Sequence, residues 1–397
     1  MTNETQRKLF ERSKEVIVGG AQAHKRPSYV PDLPLLAQRG EGCRFWDADG
    51  NCYIDYLCAY GPILLGYGHP KVTQAALERA RQGTVFDVGT PVEILLAEKL
   101  VQIIPCAEMV SFFISGSEST TAAVKICRAV TGREKVIHYG YHGWHDWCQS
   151  AGRGVPAAPA ALTLSFPYND LDALAGLFGA NQSQIACVIM EPVVIDQPAP
   201  GFLEGVKRLC EENGALLIFD EIKTGFRYAL GGAQEHFGVT PDLATFGKAM
   251  GNGWPIAVVV GRKDIMQQAQ DVWIAATFNG ELMGVVAALA TIEEMQRQNG
   301  VQELWRRGER LRAGLDEIAQ EASVDAKAAG AGPLPFFRFG EGLAEVKTRF
   351  YSECARGGVY FAPDHVWFLC LAHTDDVIEE TLIIARQAMK AALAGAG

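Results

Sequence analysis

The chain reads as an α/β protein, with a mostly parallel central sheet flanked by helices and a smaller α+β part attached. Three observations predict this. Between about residues 90 and 260, short apolar runs alternate with segments of helical spacing. A length of 397 residues is enough for a large core, and 48% hydrophobic with 21% charged residues is a globular composition. Continuously apolar short runs belong to strands covered on both faces, and alternation with helices is how parallel strands are joined.

Taken in order, the first twenty residues are rich in charge and read as a helix ending at Gly19-Gly20. A Pro-rich stretch follows through Pro34, and together they look like an arm. Alternation in CRFWDADGNCYIDY, with Asp49-Gly50 between aromatic-rich runs, predicts a hairpin at Arg44 to Tyr56. The apolar runs are MVSFFIS, KVIHY from Lys135, IACVIM from Ile185, ALLIFD from Ala215 and PIAVVVG from Pro255, with helical spacing between several of them, as in ESTTAAVKICRAV and FLEGVKRLCEEN. Beyond Gly280 a long helical stretch runs through Gln298 and charged helical sequence continues to about Glu321. An Ala/Gly-rich segment near 326–333, short strand-like runs and a final helix from Asp375 complete the chain. The expected division is an arm and hairpin (1–58) belonging with the small domain, a large domain (59–279), and a connecting helix with the C-terminal small domain (280–397).

A formal charge of -10 gives no general attraction to phosphate backbones or anionic lipid, which argues against nucleic-acid binding. No apolar run approaches the roughly 18 residues that cross a bilayer, and MTNETQRKLFERSKEV lacks the apolar core of a signal peptide, so the expectation is a cytoplasmic protein without membrane contact. The ten cysteines sit mostly inside apolar stretches and read as reduced, buried thiols. No CxxC pair occurs, which removes the commonest zinc signal, and no metal is expected.

In open α/β sheets ligands bind beyond the carboxyl ends of the strands. Three such ends carry chemistry here. Ser115-Gly116-Ser117-Glu118 opens a helix with small residues and free N–H groups where a phosphate can sit, and it equally fits an ordinary capping box. ALLIF ends on Asp220, a carboxylate whose burial calls for a cationic partner. Lys248 follows LATFG and precedes the Gly-rich AMGNGWP, so a desolvated amine there could act as a nucleophile; Lys223, three residues after Asp220, is a rival of the same kind. The segment from His138 to Asp146 is dense in imidazole and aromatic groups. A metal site from His138, His142, His145 and Asp146 is disfavoured, because a strand running into a glycine loop does not hold helical ligand spacing; stacking on a flat ligand is the better functional reading. There is no GxxxxGK[ST] and no GxGxxG after the first strand, which weakens nucleotide readings. A phosphate nest, a carboxylate, a lysine and aromatic rings on one sheet edge are what pyridoxal 5′-phosphate (PLP) requires.

On these residues, and most densely on LLIFDEIKTGFRYALGGAQEHFGVTPDLATFGKAMGNGWPIAVVVGR from Leu216 to Arg262, the chain resembles a class III aminotransferase of PLP fold type I, especially the glutamate-1-semialdehyde aminomutase branch. The resemblance implies that Lys248 is the Schiff-base lysine, which settles the contest with Lys223, and that Asp220 keeps the pyridine nitrogen protonated. It implies that Ile222 and Tyr141, followed by His142 in Tyr-His-Gly, pack on the two ring faces, and that Ser115, Gly116 and Ser117 hold the phosphate. Glu191 would lie near the cofactor, and Thr277 would reach the phosphate of the neighbouring subunit, hence a homodimer. The activity implied is movement of an amino group between an amino-acid-like donor and a keto or aldehyde acceptor through a Lys248 aldimine. The alternatives are an aminomutase or amino-acid racemase using the same parts, or a PLP-binding module without turnover.

Arg26 corresponds to the arginine that holds the substrate carboxylate in the aminomutase. Three departures from the family pattern stand out: His365 where the aminomutase carries a glutamate, Ser119 where alanine is usual, and Lys223 where glutamine or methionine is common. Trp144, Trp254 and Trp367 are candidates for an aromatic-accepting pocket.

Overall fold

The structure is a computed structural model that describes residues 3–20, 30–149 and 152–395. It separates into two compact units, Met1–His69 with Gln302–Gly397, and Pro70–Val301. In the smaller unit the first helix, Glu4–Ser13, begins where the Asp49 carboxylate accepts the N–H groups of Thr5 (2.8 Å) and Gln6 (2.9 Å), so the hairpin itself caps the helix. The helix stops at Ser13 rather than at Gly19-Gly20. The run Val16-Ile17-Val18 is unfavourable for continuing it, and Gly19 takes the left-handed φ of 73°. Three strands follow, β1 Ala37–Glu41, β2 Arg44–Asp47 and β3 Cys52–Asp55; β2 and β3 form the expected hairpin with Phe45 opposite Tyr53.

The larger unit holds seven strands: β4 Met109–Phe113, β5 Lys135–Tyr139, β6 Thr163–Ser165, β7 Ile185–Met190, β8 Leu216–Asp220, β9 Leu243–Phe246 and β10 Ala257–Gly261. Their order is β4-β10-β9-β8-β7-β5-β6. All run parallel except β10, which is antiparallel to both β4 and β9. The strands β7, β8, β9 and β10 are almost wholly buried, which is why they read as unbroken apolar runs. The helix Gly116–Thr131 lies across the sheet, burying Ala122, Ala123, Ile126 and Cys127 with Ile189, Ile218 and Val259 in one core. Its N-terminus is thereby fixed at the carboxyl ends of the parallel strands.

The helix Leu282–Arg297 packs on the helices Pro70–Ala80 and Pro91–Ile103, so it belongs to the larger unit; the division falls after His69 and Val301 instead of at 58 and 279. The Ala/Gly-rich stretch becomes a strand, β11 Ala326–Ala331, paired with β12 Leu334–Phe339, because small side chains still leave the backbone free to pair. A two-residue strand, β13 Val359–Tyr360, joins β3 in parallel, so the two ends of the chain share one sheet. Trp367 is fully buried in this unit, stacked on Phe361 at 3.9 Å, and is a core residue rather than part of a ligand pocket. No helix among the described residues is long and apolar enough to cross a membrane.

Gly308, in the helix Gly300–Glu321, meets the turn between β11 and β12 so closely that a Cβ would stand 1.7 Å from the Gly332 carbonyl oxygen. Replacing it by alanine must move backbone, so Gly308→Ala should lower stability by about 1–3 kcal/mol, read as a reduced urea midpoint.

Candidate active site

The register of the sheet brings the chemically loaded residues together. Tyr139 pairs with Met190, Met190 with Phe219, and Asp220 with Thr245. The residues that follow, Gly140 to His142, Glu191, Asp220 to Lys223 and Lys248, therefore emerge side by side. Because β4 runs parallel to them, Ser115 opens at the same edge.

Asp220 is buried and well supplied with donors and partners. Its Oδ2 lies 2.7 Å from His142 Nδ1, and its Oδ1 accepts the Thr245 hydroxyl (3.2 Å) and the Ile222 N–H (3.2 Å). A carboxylate with this many partners is held in place and remains an acceptor toward the site. His142 is itself fixed, its carbonyl taking the Thr120 hydroxyl at 2.7 Å and its ring stacking on Trp147. Nearby His138 is held near neutrality in charge: burial first, and His142 second, push it down to about 4.

Lys248 sits just beyond β9 with a left-handed φ of 45°, a costly backbone state for a side-chain-bearing residue, of the kind that collects at functional positions. Burial first and the charge of Lys223 second lower its amine to about 8, against the opposing pull of Glu191 and Asp220. Among the described residues Lys248 has no ion pair. Lys223 differs: it is paired with Glu191, whose other oxygen accepts the Tyr141 N–H at 2.7 Å. Gly140, at φ 103°, lets that carboxylate approach, since a Cβ there would lie 2.6 Å from Glu191 Oε1.

Ile222 fits between two glycines, its Cδ1 standing 3.3 Å from where a Gly116 Cβ would be and 3.0 Å from that of Gly247. The absence of side chains at those two glycines leaves room for Ile222 two residues beyond Asp220. Ser115 caps the helix by accepting the Glu118 N–H at 3.4 Å while Glu118 accepts the Ser115 N–H at 3.0 Å, so the capping box is real. The N–H groups of Gly116 and Ser117 lie in the first turn, where a helix supplies no internal acceptor. Gly143, at φ 107°, brings the aromatic loop against Ser117, where a Cβ would come within 2.2 Å of its hydroxyl. Ser119 turns its hydroxyl onto the Gly116 carbonyl.

Tyr141 and Trp144 are exposed, and Trp144 meets His145 edge to face. His145 Nδ1 lies 2.6 Å from the Thr121 hydroxyl, so the imidazoles of this loop serve different neighbours. Thr277 is exposed and Trp254 half-buried. His365 belongs to the smaller unit, edge-on to Tyr60 and near its own neighbour Phe368. Arg26 lies outside the described residues.

Sequence reasoning missed Thr245 and Glu221. Thr245 is a plain strand residue, visible only once β8 and β9 are in register. Glu221 is fully buried, pushed up to about 7 by burial, and accepts the N–H groups of Ala233 (2.8 Å) and Gln234 (2.9 Å), which pins the loop carrying Ile222 and Lys223.

Residues 26–388 match the family Aminotransferase class-III. The chain belongs to the class III aminotransferases. It is 38% identical to the 3-aminobutyryl-CoA aminotransferase of Cloacimonas acidaminovorans, over 96% of this chain and 95% of that one. It is also 38% identical to the glutamate-1-semialdehyde 2,1-aminomutase of Roseiflexus castenholzii, over 96% of both chains. Among solved structures, the FumI protein of Sphingopyxis sp. MTA144 in its PLP internal aldimine form superimposes with a TM-score of 0.95 at 31% identity, covering 98% of this chain and 97% of that one. The fold of this aminotransferase is thus the PLP fold type I that its sequence resembles.

The pairing of Lys223 with Glu191 generates a prediction. Removing the cation removes a repulsion from Lys248 and leaves Glu191 uncompensated, and both effects favour the protonated amine. In Lys223→Gln the midpoint for acylation of Lys248 in cofactor-free protein should rise above its starting value of about 8; an unchanged midpoint would show that the two amines do not communicate.

Proposed function

We propose that Lys248 and Asp220 are the working pair of this aminotransferase, at a site built for pyridoxal phosphate. PLP supplies an aldehyde that carries the amino group and an electron-poor ring that spreads the charge left on a carbon after loss of its proton. The donor set supports the fit. Asp220 offers a fixed, buried carboxylate for the ring nitrogen, Ile222 and Tyr141 offer walls for its two faces, and Ser115, Gly116 and Ser117 offer a helix N-terminus for the phosphate. Lys248 is the amine that holds the aldehyde and, once released, carries the proton between donor carbon and cofactor. At a value near 8, roughly one such amine in ten is unprotonated at pH 7, far more than for an ordinary lysine. His142 keeps Asp220 oriented, and Glu191 with Lys223 ties down the loop that presents Tyr141.

The observation that carries this reading is the contrast between the lysines: one is spent on an ion pair and the other is left unpaired beside a buried carboxylate. The donor is amino-acid-like and the acceptor a keto or aldehyde compound, with Arg26, Trp144 and His365 as the proposed substrate contacts. Relatives named as aminomutases favour one second reading, an isomerase using the same residues. An amine donor and a keto acceptor should yield two exchanged products, whereas complete conversion of a single substrate without acceptor would establish the isomerase. Borohydride reduction of the holoprotein should fix the label on Lys248, and a label on Lys223 would overturn the assignment. Asp220→Asn should retain PLP yet lose turnover by on the order of 100-fold or more.

A homodimer in which Thr277 serves the neighbouring site is supported by an exposed apolar surface around it. Trp273 is 83% exposed and Phe278 54%, and Phe86 and Val88 are also exposed. The two segments adjoin, Leu282 N–H donating to the Thr84 carbonyl at 2.9 Å and Gly280 lying against Glu93. Such a patch marks an interface. Trp273→Asp should shift the protein toward monomer in sedimentation velocity and weaken PLP retention. None of the ten cysteines is joined in a disulfide, which supports a reducing, cytoplasmic setting.

A further inference from the structure

We propose that Cys58, Cys370 and His373 form a binding site for a soft divalent metal ion of the zinc or cadmium kind inside the smaller unit. The three residues come from the two ends of the chain and meet in a fully buried place. One potential ligand atom from each lies within 4.8 Å of the others. By geometry, a point then exists no more than about 2.8 Å from all three, while zinc takes sulfur at about 2.3 Å and imidazole nitrogen at about 2.0–2.1 Å. Contraction by about half to three-quarters of an ångström brings all three to bonding distance. A disulfide between the same cysteines would instead need the sulfurs at about 2.0 Å. Two hydrogen bonds hold the segments that would have to move: Phe368 N–H to the Tyr56 carbonyl (2.7 Å) and Leu371 N–H to the Leu64 carbonyl (2.8 Å).

The side chains are preset for this role. His373 Nδ1 accepts the Cys370 N–H at 3.0 Å and stands 3.3 Å from Cys370 Sγ, so Nδ1 carries the lone pair, and binding an ion through it exchanges that hydrogen bond for the metal. Its Nε2 is buried without a hydrogen-bond partner in the structure. The ring is held by stacking on Tyr56 at 4.4 Å. Cys58 is pinned from below, its N–H donating to Asp55 Oδ1 at 3.1 Å, and its Sγ lies 3.3 Å from the Asp55 carbonyl oxygen and 3.2 Å from that of Phe368. Charge also favours an ion: two thiolates and a dication sum to zero, so an apolar pocket can hold the assembly, whereas it resists a lone thiolate. Binding releases the two thiol protons to solvent and involves no oxidation. The three residues are none of those assigned above to amino transfer and lie wholly within the smaller unit, so a role in stabilising that unit follows.

The test uses holoenzyme incubated with excess Zn(II), then desalted, with metal counted by plasma mass spectrometry. The parent should keep about one zinc per chain, and Cys58→Ser, Cys370→Ser and the double variant less than about a tenth of that. Cd(II) should give the ultraviolet sulfur-to-cadmium band in the parent alone, and chelation should lower the melting temperature of the parent but not of the double variant. If serine at 370 prevents folding, Cys58→Ser, at the other end of the chain, gives the same readings. Equal zinc in parent and double variant, no cadmium band, or a mass two daltons low from a Cys58–Cys370 disulfide would each overturn the proposal.

Discussion

The candidate-site edge of the large sheet depends on one constraint, the burial of the Asp220 carboxylate at the end of β8. A charge in that position is tolerable only if its oxygens are fully engaged, and the surrounding sequence is arranged to engage them. Thr245 comes from the neighbouring strand, His142 from the loop after β5 and the Ile222 N–H from the turn that follows. Two of those donors are in turn fixed by something else, His142 by Thr120 and Trp147, and the turn by Glu221 at its far side. Rigidity at the site is therefore a consequence of satisfying one buried anion.

The second consequence concerns cations. Two lysines stand close to two buried acids, and the pairing is selective: Glu191 takes Lys223, while Asp220 is satisfied by neutral donors and an imidazole. Lys248 is left with burial and a neighbouring positive charge, which together make its amine unusually willing to give up a proton. A cation at position 223 thus has a local electrical meaning.

Much of this was legible in the sequence, for identifiable reasons. Runs such as IACVIM and LLIFD are apolar throughout because both faces of those strands are covered, and the residues after them had to sit at the ligand edge. Residue types at that edge narrowed the chemistry, but only family resemblance chose Lys248 over Lys223, since both follow strands and both are near Asp220. The ion pair that separates them joins residues 32 positions apart and has no local sequence signal. The antiparallel direction of β10 was hidden for the same reason: an apolar run does not state its polarity. Trp367 misled because a large aromatic side chain serves a core and a pocket equally well, and its stacking on Phe361 appears only after folding. The cluster at 58, 370 and 373 escaped because its members are separated by most of the chain.

The pairing of β3 with β13 has a consequence for how the protein is made. More than three hundred residues separate Ile54 from Val359, yet they are neighbours in one sheet. On the ribosome the middle of the chain can assemble its own parallel sheet while the amino-terminal segment waits, with the aromatic edge of its hairpin unpaired, until the last residues emerge. Biogenesis should for that reason be most vulnerable to aggregation late, when the large unit is already formed and the small one still lacks half its strands.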